Sequence, residues 1–109
     1  MKSFLKPPVE LRNGYKDPKR LEAVRSLDCC ICTKLGLLQL SATEAHHRIG
    51  NGIGLKASDL LTFGLCSKHH ARGNRGDAIH ETPIEEWETK YKVTQDELIA
   101  LTDELLSKL

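Results

Sequence analysis

The sequence predicts one small α+β domain, and three observations carry that expectation. Two apolar runs, residues 37–47 and 59–65, flank a glycine-rich loop from Gly50 to Gly54, the pattern of two short antiparallel strands. Two couplets share the same two-residue gap, Cys29-x-x-Cys32 and Cys66-x-x-His69. Downstream the apolar spacing turns helical, at Ile84, Trp87 and Tyr91 and again at Leu98, Leu101, Leu105 and Leu109.

Residues 1–16, with two prolines, a glycine and scattered charge, read as an extended N-terminal arm; the domain proper is 17–109. Asp17-Pro18 is an N-cap followed by proline in the first helical turn, and Leu21, Val24 and Leu27 continue a short helix. Asp28 to Cys32 reads as a tight knuckle turn. The run 37–47 holds the first strand, and 59–65 holds the second and delivers Cys66. Ser67 can cap a short helix carrying His69, His70 and Arg72 and ended by Gly73. Glu81, Glu85, Glu86 and Glu88 suit the start of the helix around Trp87. Thr94 to Glu97 is a capping box opening the last helix, whose Leu98, Leu101 and Leu105 are expected beside Trp87.

A chain of 109 residues, only 5% of them aromatic, has a modest core and gains from a bound metal. The first ten residues lack the apolar stretch of a signal peptide, and nowhere do eighteen apolar residues run together. The expected compartment is therefore the reducing cytoplasm, where clustered Cys serve as metal ligands, and no membrane is expected as partner. The net charge of +1 conceals an asymmetry. Residues 1–80 carry thirteen Lys/Arg against seven Asp/Glu, whereas residues 81–109 carry three against eight. A basic body of this kind points to an anionic partner, nucleic acid first.

A two-residue gap lets both side chains of one turn face a single tetrahedral ion. Cys29, Cys32, Cys66 and His69 thus complete a closed zinc site of the structural kind. Cys30 is left as a packed or exposed free thiol. Four histidines remain: His46, His47, His70 and His80. Adjacent residues on a strand face opposite ways, so His46 and His47 take different roles: one can hold a metal while the other meets water. His70 can close onto His46 across the hairpin and His80 can join them, giving three imidazoles with open positions, the pattern of a catalytic site.

The arrangement CxxC … AHHR … GxGxK-x-SDL … LCxxHH … IH resembles the HNH (ββα-metal, or His-Me finger) endonuclease superfamily over residues Asp28 to His80. It is most similar to the phage-type branches, including the recombination-enhancement, RecA-dependent nuclease family. The resemblance implies a ββα-metal core with a zinc knuckle and C-terminal helices. It implies that His46 and His70 ligate a catalytic divalent ion (Zn, Mg, Mn or Ni), with His80 as a further candidate, and that His47 is the general base. The superfamily's central Asn has no counterpart here; Asp59 stands roughly in its place and is taken as catalytic beside His47. It also implies phosphodiester hydrolysis on DNA, single-stranded or looped, in recombination with a RecA filament as partner.

Such chemistry suits these residues. Imidazoles favour zinc or nickel, whereas magnesium wants more oxygen, and a histidine with a pKa near ~6.5 accepts a proton from water at neutral pH. Arg48, Lys56, Arg72 and Arg75 are the candidate phosphate contacts, and Gly50, Gly52 and Gly54 let the loop backbone approach a phosphate. Two other readings compete: a non-catalytic zinc-knuckle nucleic-acid-binding or adaptor module, and a zinc domain that presents acidic C-terminal helices to a protein.

Overall fold

The computed structural model describes residues 8–50 and 56–109; Gly52 and Gly54 of the expected phosphate loop lie outside them. The chain forms a small α+β domain: helices α1 (Pro18–Arg25) and α2 (Cys30–Leu35), strands β1 (Glu44–His47) and β2 (Thr62–Leu65), then helices α3 (Ser67–His70), α4 (Ile84–Tyr91) and α5 (Gln95–Ser107). Short 3-10 turns occupy Val9–Leu11 and Ile79–Glu81. No helix among the described residues is long and apolar enough to cross a membrane.

Asp17 caps α1 by accepting the Arg20 amide at 3.1 Å, with Pro18 at the first helical position. The turn expected at Asp28 to Cys32 is instead the entry to a helix. Cys29 sits at the N-cap of α2, its sulfur accepting the Cys32 amide, and Gly36 closes the helix at a left-handed φ of 68°. Such helix entries give a CxxC pair its common facing.

The first strand is shorter than the alternation in 37–47 predicts. Only Glu44–His47 pairs, antiparallel, with β2 in the register Glu44↔Leu65, Ala45↔Gly64, His46↔Phe63 and His47↔Thr62. In the preceding loop the polar residue turns inward: Gln39 accepts the Cys29 amide at 2.7 Å and donates to Ser41 O and Thr43 Oγ1, while Leu38 and Leu40 face outward. The residues of β2 are all buried, and at Gly64 a Cβ would stand 2.6 Å from Thr43 Cγ2. Ser67 is the first residue of α3 rather than its cap; Cys66 is the N-cap, and the Ser67 amide donates to Ser41 Oγ.

Phe63, Leu65, Ile31, Ile79 and Trp87 form the centre of the core, joined by Leu98 and Ile99 from α5. The capping box at Thr94 and Glu97 is present. The apolar stripe expected on α5 is rotated, however. Gln95, Leu98, Ile99 and Thr102 face inward, and Leu101, Leu105 and Leu109 are exposed. Ile99 and a back-bonded Thr102, whose hydroxyl donates to Leu98 O at 2.7 Å, take the buried places on the helix, which lies against β2.

The acidic tail folds back on the basic body. Asp103 pairs with Arg20, Asp96 with Arg48 and Glu86 with Arg75. Part of the charge asymmetry is thus met within the chain. Residues 8–16 are also tied down: Gly14 donates to Lys56 O, Asp59 to Tyr15 O, and the Ser58 hydroxyl to Glu10 O.

Candidate metal centres

Two clusters of ligand-type side chains lie among the described residues, and helix α3 contributes to both. The first joins Cys29 and Cys32 from the entry of α2 to Cys66 and His69 from the entry of α3, all buried. Separations across it are 3.6 Å from Cys29 Sγ to His69 Nδ1, 3.7 Å from Cys32 Sγ to both Cys66 Sγ and His69 Nδ1, and 3.3 Å from Cys66 Sγ to His69 Nδ1. A tetrahedral ion with bonds of ~2.3 Å to sulfur requires edges of about 3.8 Å, slightly less where nitrogen replaces sulfur. These four side chains therefore fit a metal ion such as zinc. Burial foremost, and then the neighbouring thiols, push Cys32 up to about 12, and burial likewise raises Cys29, so this cluster takes a cation only by releasing protons. Cys30 is excluded from the cluster and packs in the core.

The second cluster is His46, His70 and His80, with one ring nitrogen of each within 4.8 Å of the others. His70 Nε2 and His80 Nε2 stand 3.2 Å apart. Two nitrogens on one tetrahedral ion, each at ~2.0–2.1 Å, lie about 3.3 Å apart. His46 lies beneath them, buried, with ring centroids 5.2 Å from His70 and 5.1 Å from His80. Its Nδ1 is a buried polar atom without a hydrogen-bond partner among the described residues, which is rare enough to need a cause. Burial first, then the neighbouring His70 and His80, lower its pKa to about 3, so the ring is held neutral, the form that ligates a cation. Burial and His70 also lower His80.

Strand geometry sends His47 the other way. Its Nε2 lies 2.6 Å from Asp59 Oδ1, and Asp59 Oδ2 accepts the Asp17 amide at 2.7 Å. Burial would raise the Asp59 carboxyl, but the Asp17 amide and His47 outweigh it and hold the group below its usual range. A carboxylate only accepts, so the proton between them sits on Nε2 and the lone pair of His47 is on Nδ1.

An open pocket of about 450 Å³ brings His47, His70 and His80 together with Arg48 and Lys56. Arg72 lies elsewhere, with Lys68 in a groove of about 390 Å³ beside Cys32, Cys66 and His69 that Leu37, Leu38 and Leu40 wall. Arg75 is held at Glu86, 3.1 Å away. Two residues at the second cluster escaped sequence reasoning. Glu44 Oε1 is 2.7 Å from His70 Nδ1, and its place two residues before His46, on the same strand face, was a readable signal. Gln95 reaches His46 from α5, and nothing local in the sequence marks it, because it sits inside a capping box.

Fold and clusters together define a small α+β domain with a buried Cys3His cluster that can hold a metal. The chain belongs to the family described as "Protein of unknown function (DUF968)", whose model matches residues 1–107. No curated protein and no solved structure matches the chain.

Proposed function

We propose that this domain is a metal-dependent DNA endonuclease with a ββα-metal core, β1 and β2 forming the hairpin and α3 the metal-bearing helix. One observation carries the reading: the neighbours His46 and His47 part to opposite faces of β1, one with a bare nitrogen among imidazoles, the other hydrogen-bonded to a buried carboxylate. The division leaves one imidazole nitrogen free for a cation and gives the other ring a carboxylate partner, the two roles that metal-assisted hydrolysis needs.

The Cys3His cluster holds zinc and ties α2 to α3. His46, His70 and His80 would hold the catalytic divalent ion, which would supply stabilisation of the negative charge that develops during phosphodiester cleavage. His47 takes the proton of the attacking water at Nδ1. Asp59 accepts the Nε2–H, keeps the ring in that tautomer and stabilises the imidazolium formed, while the Asp17 amide fixes Asp59. Arg48 and Lys56 border the pocket where the flanking phosphates lie.

DNA in single-stranded or looped form is the substrate we assign, with a RecA filament as the partner implied by the family resemblance. The test is cleavage of single-stranded, looped and duplex DNA by the metal-loaded protein, with and without RecA filaments, across a metal titration. Metal-dependent nicking that His47→Ala abolishes supports the reading. Tight binding to DNA without cleavage at any metal concentration replaces it with the zinc-knuckle binding module.

A further inference from the structure

Gln95 is buried, and its amide makes two hydrogen bonds that settle its orientation. Oε1 accepts the Ile49 amide at 2.9 Å and Nε2 donates to Ile49 O at 3.0 Å. Reversing the amide would set donor against donor and acceptor against acceptor. The atom that faces His46 Nε2, 3.4 Å away, is therefore an oxygen. An oxygen there requires the His46 proton on Nε2 and leaves the lone pair on Nδ1, the buried atom with no partner among the described residues.

Glu44 does the same for His70 from the opposite ring edge. Its carboxylate oxygen, 2.7 Å from Nδ1, requires the proton on Nδ1 and frees Nε2, the nitrogen 3.2 Å from His80 Nε2. Two unrelated acceptors, one from β1 and one from α5, thus leave Nδ1 of His46 and Nε2 of His70 unprotonated, in a cluster where one ring nitrogen of each histidine lies within 4.8 Å of the others.

We propose that Gln95 and Glu44 are the positioning residues of the three-histidine site: they fix the tautomers so that His46 ligates through Nδ1 and His70 through Nε2. The proposal rests on the reading of His46, His70 and His80 as metal ligands. It also makes α5 part of the site, because Gln95 joins that helix to the segment after β1 through Ile49. Partners of this kind hold ring orientation and ligand basicity, and losing one typically lowers metal affinity about 10–100-fold.

The experiment uses the full chain with one zinc in the Cys3His cluster. Long-range ¹H–¹⁵N correlation of the histidine rings at neutral pH reads the tautomers directly, before any second metal is added. The expected spectrum shows His46 protonated at Nε2 and His70 at Nδ1; the opposite tautomer at either ring overturns the proposal. Zinc alone is then titrated against a competing chelator. Gln95→Met and Glu44→Ala are expected to bind the second zinc about 10–100-fold more weakly. Glu44→Gln, which still offers His70 an acceptor, should recover most of the loss. Unchanged second-zinc affinity in both variants that lack the acceptor overturns the proposal. Should Gln95→Met lose its fold, the tautomer spectrum and the Glu44 pair decide alone. Expected tautomers and zinc binding without DNA cleavage would remove the nuclease reading and leave the positioning intact; cleavage with reversed tautomers would do the opposite.

Discussion

The two clusters differ in almost every property that matters to a metal ion, yet one turn of helix serves both. His69 and His70 are neighbours on α3, and about 100° of helical rotation per residue sends one ring toward the thiols and the other toward His46 and His80. The Cys3His cluster offers four buried donors with no position left for a substrate. The histidine cluster offers three donors, one of them on the exposed His80, and borders a pocket that also contains His47, Arg48 and Lys56. A closed site stabilises; an open one leaves coordination positions for chemistry. The pairing shows how a chain with a small core can position a second cluster of ligand-type side chains by sharing one short helix with a first.

The largest effect that tests this contrast is loss of the closed site. Structural zinc contributes about 10–16 kcal/mol in small domains, as much as the whole stability of most folded proteins. Cys32→Ser, or exhaustive chelation, should abolish cooperative unfolding in calorimetry and collapse near-UV dichroism. A demetallated chain with an unchanged melting transition would show that the core alone holds α2 and α3 together.

Next in size is the chemistry of the open site. His47→Ala should keep fold and metal content but lose about 10²–10⁴ in cleavage rate, the usual share of a general base. His46→Ala and His70→Ala should instead lose the second metal, as counted by elemental analysis, and added metal should partly restore them. Cleavage by His47→Ala at the rate of the unsubstituted protein would leave Asp59 orienting nothing.

Smaller again is the thermal consequence of emptying only the open site. Metal bound at 100 times its dissociation constant adds about 2.7 kcal/mol, so stripping that site should lower the melting temperature by several degrees without loss of cooperativity. A chelator of graded strength should therefore release metal in two stages. Release in a single stage would mean that the two clusters stand or fall together.

Much of this contrast was legible in the sequence because closely spaced Cys and His leave a local signature. The couplets at Cys29 and Cys66 mark the closed cluster through spacing alone, and period two separates His46 from His47. What was not legible was tertiary. The leucines at 38, 40, 101 and 105 look like core by pattern, but Gln39 takes the inward place in one segment and Ile99 with Thr102 takes it in the other. Gln39 won its position because it accepts the Cys29 amide, which a leucine cannot do. Gln95 was hidden for the same reason: its partners, Ile49 and His46, lie more than forty residues away. Arg48 and Arg75 read as candidate phosphate contacts in a basic body, whereas the folded tail brings Asp96 and Glu86 to them.

The smallest effect concerns the polar bracing around the closed site. Asp77 accepts Trp87 Nε1–H through its carbonyl at 3.0 Å and Lys90 Nζ through its carboxylate at 2.7 Å, and Tyr91 of the same helix packs its ring on His69 at 5.7 Å. The Lys90 hydrogen bond, only partly offset by burial, holds the Asp77 carboxyl below its ordinary 3.8. A depressed carboxyl contributes stability above its unfolded pKa and loses it as pH falls through the folded value. Between about pH 6 and pH 8 the group is ionised folded or unfolded, so its contribution is constant there. The pair is partly exposed, which limits it to about 0.2–1 kcal/mol. Lys90→Gln should thus cost that much in urea melts of the zinc-loaded protein, by an amount flat across this range. A cost that changes with pH near neutrality would point instead to His69, which lies in the fields of both Lys90 and Asp77. A ligand of the closed site has no proton to gain at these pH values, so a sloping cost would mean that His69 is free of metal and that the closed cluster is not closed.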